Sequence, residues 1–164
     1  VFEKDNRENK SNKNNEYMET QKSIKDAVEL CALLDKIEAQ IYNIGKGNSN
    51  VAIGCLLNSP FSYPNYYEDL HTDAMKELHE MLYYAFYLIC CIVMETSEDN
   101  LLSIAQNSCS KIITMLFEKQ LVIKKAPMVK PLSDLYHNSY SKLQDAHYDG
   151  IGLSLEKLYR VLFF

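Results

Sequence analysis

The stretch MLYYAFYLICCIVM, residues 81–94, holds fourteen consecutive residues without a charge, a glycine or a proline. It can cross a membrane, line a ligand pocket or form the middle of a protein core, and the choice decides the fold. A membrane helix needs about 20 apolar residues. Here the flanks are acidic, with Glu77 and Glu80 before and Glu95, Glu98 and Asp99 after, and no lysine or arginine cluster to orient the run in a bilayer. An amphipathic pattern leads into it through Leu70, Ala74, Met75, Leu78 and Met81, and β-branched alternation is absent. A helix apolar on all sides is one that other helices surround. The expectation is a core helix from about Asn65 or Thr72 to Glu95, not a transmembrane segment.

Outward from that run, the chain reads as further helices. Apolar residues at Tyr17, Ile24, Val28, Cys31, Leu34, Ile41 and Ile44 predict a helix from about Glu16 to Ile44, stopped by GKGNSN at 45–50. VAIGCLLN fits helix or strand, and Pro60 and Pro64 make SPFSYPNYY a loop. Ser97 is the expected N-cap of the next helix, with Glu98 and Asp99 in its first turn and a face of Leu101, Ala105, Cys109, Ile112 and Leu116. KKAPMVKP connects to a helix begun by Pro131 and carrying Leu132, Leu135, Tyr136, Tyr140 and Leu143. DGIG is expected to break it before a last helix in LSLEKLYRVLFF. The predicted fold class is all-α, a single globular domain of five to six helices around a buried hydrophobic central helix. Residues 1–15 form a flexible polar tail and 16–164 the domain. Helix pairs of about 40 residues also fit a solenoid-like segment.

Composition narrows the function. The chain has 164 residues, 47% hydrophobic and 24% charged, as in ordinary globular domains. A net charge of -5 argues against nucleic acid, which needs a basic field to recruit phosphate. Fifteen Lys against two Arg, thirteen Asn, twelve Ile and no Trp suggest an AT-rich genome. The five cysteines (Cys31, Cys55, Cys90, Cys91 and Cys109) are odd in number and mostly sit in apolar runs, which points to a reducing, cytoplasmic setting. No signal peptide is visible, and a start without Met with an apolar end suggests part of a larger protein or assembly. The C-terminal row Leu158, Val161, Leu162 and Phe163 or Phe164 should dock on its own core or within a larger parent protein or, alternatively, pair with a second copy.

The search for chemistry finds little. GKGNSN lacks the spacing of a phosphate-binding loop, and no motif for acyl transfer, metal binding or a cofactor occurs. The densest polar stretch, EDLHTDAMKELHE, holds Glu68, Asp69, His71, Asp73, Glu77, His79 and Glu80. His71 and His79 stand about 12 Å apart along a helix, too far to share one ion. That face reads as the solvated side of the central helix, as do His137 and His147 on theirs. A metal-dependent enzyme using the acidic and histidine face 68–80 stays an alternative. Candidate partner-binding residues are Phe61, Tyr63, Tyr66 and Tyr67, aromatics on a proline-braced loop, and the lysines Lys119, Lys124, Lys125 and Lys130.

The segment VELCALLDKIEAQI, residues 28–41, places Leu30 and Asp35 in a spacing that resembles the L-x-x-x-G-D signature of a BH3 helix. An apolar helix surrounded by amphipathic ones is likewise similar to the Bcl-2 fold. Leu34 stands where that signature has a small residue, and the chain has no tryptophan for an NWGR-like segment. The resemblance implies a helical groove binder acting in host or cell signalling. The expectation from the residues themselves is a non-catalytic protein-interaction or scaffold domain with a protein partner and no cofactor.

Overall fold

In a computed structural model, the described residues are 2–46, 73–119, 121 and 123–164, and every regular element among them is an α-helix. Helix α1 spans Phe2–Lys46, α2 Asp73–Glu95, α3 Asp99–Glu118, α4 Lys130–Asp145 and α5 Asp149–Phe163. Helix α2 touches all four others, α1 packs on α2 and α3, α3 on α5, and α5 on α4. Among the described residues α1 and α4 do not meet. The four outer helices therefore form an open ring around α2, a globule with one encased helix instead of a stack of helix pairs.

The run 81–94 is the centre of that globule. Leu78, Ala85, Phe86, Ile89, Cys90, Ile92 and Val93 of α2 are wholly removed from water. The run is embedded in a 23-residue helix that is long and apolar enough to cross a membrane by length and composition. Its length therefore decides less than the fourteen apolar residues suggested. Burial against four helices is what gives it the core position.

Helix α1 begins at Phe2, well before the expected Glu16. Glu, Lys and Arg have good helix propensity, and extending an existing helix is cheap. Its buried row is Ser23, Ala27, Leu30, Leu34, Ile37, Ile41 and Ile44, spaced alternately four and three. This corrects half of the predicted face: Ile24 and Cys31 are exposed and Val28 is 66% exposed. Two apolar rows interleave on α1, and the neighbours take the one with the longer aliphatic side chains. Leu30 is fully buried, so the leucine that carried the BH3 resemblance is a core contact and unavailable to another protein.

The predicted α3 face, Leu101, Ala105, Cys109, Ile112 and Leu116, is buried throughout. Its start differs: Glu98 is the N-cap and makes no side-chain cap bond, and Thr96 Oγ1 accepts from the Glu98 N–H at 3.0 Å. DGIG opens α5 where a break was expected. The reversal lies at 146–148, where His147 adopts φ 60, a left-handed conformation uncommon outside glycine. Gly150 instead permits close approach, since a Cβ there would meet Gln106 Nε2 of α3 at 3.3 Å.

Two lysines close helix ends. The last carbonyls of a helix have no partner within it and carry the negative end of its dipole. Lys142 of α4 donates to Val93 O (2.6 Å), Met94 O (3.2 Å) and Thr96 O (2.9 Å) at the end of α2. Lys125 donates to Arg160 O (3.0 Å) and Val161 O (2.8 Å), and the Ala126 N–H to Leu162 O (2.9 Å), so the connection before α4 straps the end of α5. Leu155, Leu158 and Leu162 are buried in the chain's own core, which is where the apolar C-terminal row docks.

Candidate interaction surface

Exposure along α2 is periodic. Asp73, Glu77, Glu80, Tyr84, Tyr87 and Met94 are exposed and Cys91 half-buried, while every remaining position is buried or half-buried. The spacing is four, three, four, three, four, three. That repeat is a single face of the helix, the one strip, or seam, that its neighbours leave exposed. It faces the gap that α1 and α4 leave between them.

The seam has two halves. Its first half is Asp73, Glu77 and Glu80, and its second is Tyr84, Tyr87, Cys91 and Met94. Tyr84 and Tyr87 stack with ring centroids 6.0 Å apart and 18° between planes. The Tyr84 hydroxyl donates to Glu29 Oε1 of α1 at 2.6 Å, and that bond pushes its phenol up to about 12. At the far end Lys22 of α1 meets Glu95 at 3.1 Å. Burial, then the neighbouring Asp26, raises the Glu95 carboxyl above its usual range.

On the α4 side the seam widens into a cavity of about 370 Å³. Glu80, Tyr83, Tyr84 and Tyr87 form one wall, and Val129, Pro131, Leu132 and Leu135 the other. Its base is held in place. Tyr83 donates to Pro127 O at 3.1 Å and meets Phe163 edge-on at 5.1 Å. Phe163 in turn packs on Phe86 at 5.1 Å, and Tyr136 stacks flat on Tyr159 at 4.0 Å. Aromatic groups fixed this way offer apolar area without a rotamer-entropy cost at binding. A second cleft, about 640 Å³ between α1 and α3, is lined by Asp35, Glu38, Lys111, Glu118 and Lys119 among others and bridged by Lys111–Glu38 at 3.3 Å. Its walls mix acidic and basic side chains, whereas those of the α2 groove are mostly apolar, and the α2 seam is the stronger candidate.

Sequence-predicted site residues fall in several places. Phe61, Tyr63, Tyr66 and Tyr67 lie outside the described residues, as do Glu68, Asp69 and His71. The four lysines do not form one patch. Lys119 is exposed at the end of α3, and Lys130 is exposed and paired with Asp134 at 3.5 Å. Lys124 is buried, and Lys125 spends its ammonium on helix carbonyls. Of the acidic and histidine face, Asp73, Glu77 and Glu80 are on the seam, but His79 turns inward and is 4% exposed. Among the described residues no three His, Cys, Asp or Glu side chains group as metal ligands. Sequence reasoning does not single out Tyr84 and Tyr87, because nothing in an all-apolar stretch marks which side stays open.

Burial, reinforced by the charge of Lys124, lowers His79 to about 4, against about 6.5 for a free histidine. The unfolded chain takes up a proton near pH 6.5 and the folded chain only near 4, so the folded state is favoured above this window and loses that advantage as pH falls through it. The loss should approach about 3 kcal/mol by pH 4. Urea melts at pH 7 and 4.5 should show it, and His79→Gln should flatten the slope. An equal slope in the variant would assign the acid sensitivity elsewhere.

No family model, curated protein or solved structure matches this chain.

Proposed function

We propose that this chain is a non-catalytic protein-interaction domain, a helical groove binder whose docking face is the α2 seam. The observation that carries the reading is the open ring: among the described residues every side of the central helix is covered except one, and that one ends in an aromatic, mostly apolar groove. Aromatic residues at the centre of a concave face are where binding energy concentrates. A groove beside the central helix also fits the Bcl-2-like alternative. The buried Leu30 removes the BH3 argument but leaves this one. The four described cysteines are free thiols, two of them buried, which suits a reducing, cytoplasmic setting.

Selection of a random peptide library on the intact chain tests the reading. Selected peptides should lose about tenfold or more in affinity for Tyr87→Ser and for Val129→Glu, both at exposed positions, while the melting curves stay unchanged. Peptides that bind both variants as tightly as the parent would place docking elsewhere.

A further inference from the structure

We infer that the occupant of the seam is an amphipathic helix of a partner protein, basic along one half and apolar along the other. This rests on the seam being the docking face. Three observations lead to a helix with that charge pattern.

The first is shape. The exposed row on α2 keeps the four–three alternation for its whole length, from Asp73 to Met94. At 1.5 Å per residue that is roughly 30 Å of continuous strip, far longer than a single inserted side chain needs. A strip of this period between two flanking helices, α1 and α4, is the site at which a bundle accepts one more helix.

The second is the division of the strip. Tyr84, Tyr87, Cys91 and Met94 ask for apolar contacts over one half. Asp73, Glu77 and Glu80 offer three carboxylates in line over the other, spaced as a facing helix would place its own i, i+4 and i+7 side chains.

The third is the charge of the rim. Asp26 and Glu29 of α1 stand beside Tyr84 and Tyr87. The ion pairs at this rim among the described residues are Lys22–Glu95 and Lys130–Asp134, so those two cations are matched locally. Lys25, Lys36 and Lys76 lie on the same helices, against Asp26, Glu29, Asp73, Glu77 and Glu80, so the balance along the strip stays acidic. A partner carrying Lys or Arg meets carboxylates over the first half, and its cations at the boundary can lie on the Tyr84 and Tyr87 ring faces.

The test uses two synthetic helical peptides of about 20 residues, long enough to span the strip. They share one apolar half, and the other half carries Lys in one and Glu in the other. Binding to the intact chain is read by fluorescence anisotropy. The Lys peptide should bind about tenfold more tightly at low salt, with the margin closing toward 1 M salt, where the screening length is about 3 Å. Glu77→Lys with Glu80→Lys, both at exposed positions, should reverse the preference without altering the melting curve. Equal binding of the two peptides would overturn the charge assignment and leave the docking face standing. Failure of both, with library peptides still lost on Tyr87→Ser, would overturn the helical occupant alone. Sedimentation showing a dimer that Tyr87→Ser dissolves, with neither peptide bound, would make a second copy the occupant and also overturn the proposal.

Discussion

Ile89→Asp should leave the chain unfolded at 25 °C. Ile89 lies in mid-α2 and is wholly buried among apolar residues from its own and neighbouring helices. An aspartate there must either ionise without a partner or stay protonated with its polar atoms unsatisfied, and each costs several kcal/mol. A domain of this size has about 5–15 kcal/mol in all, and the substitution also deletes apolar contacts. The far-ultraviolet helix signal should lose its cooperative melt. Ile89→Val separates burial from packing: it should cost only about 1 kcal/mol and melt cooperatively. An Ile89→Asp protein with the parent's melting temperature would show that this side chain reaches water, and the enclosed-helix description would be wrong.

Phe86→Ala should be the next most damaging change, at about 3–5 kcal/mol. Phe86 is fully buried, and its ring centroid lies 5.1 Å from Phe163, 6.0 Å from Tyr136 and 6.4 Å from Tyr159. One ring thus joins α2 to both α4 and α5, and the surrounding aromatics cannot collapse far into the space it would leave. Denaturant unfolding measures the loss directly. Phe164→Ala, one residue beyond Phe163 but at an 80% exposed position, should stay within about 0.5 kcal/mol of the parent. The same contact chain supports the groove, because Phe163 holds Tyr83. Peptide affinity should therefore fall in Phe86→Ala even at temperatures where it remains folded. Unchanged affinity would show that the groove does not depend on the packing beneath it.

Much of the architecture was legible because helical periodicity is a local property. In α3 the row Leu101, Ala105, Cys109, Ile112 and Leu116 recurs at helical spacing and is buried throughout, with Leu102 beside it, so that much of the inward face follows from spacing. The run 81–94 is too apolar for most of its sides to stay in water, which makes it central. The apolar end of the chain had to be covered, and Leu158 and Leu162 are.

Other features needed the tertiary structure. Helix α1 carries two apolar rows with the same period, and nothing local ranks Leu30 and Ile37 above Ile24 and Val28. The shape of α2 and α3 does. His79 sits in an acidic stretch, yet its position four after Met75 and three before Leu82 puts it on the buried side. That spacing was a usable signal outweighed by polar neighbours. Lys125 and Lys142 find carbonyls at helix ends 35 and 49 residues away in sequence, a pairing invisible to any local pattern. The docking seam belongs to the same class. Tyr84, Tyr87 and Met94 differ little in apolar character from the residues between them, so the sequence by itself determined that α2 is a core helix. Which strip of it stays open depends on where α1 and α4 stop short of each other, and that distance is set by the packing of the whole ring.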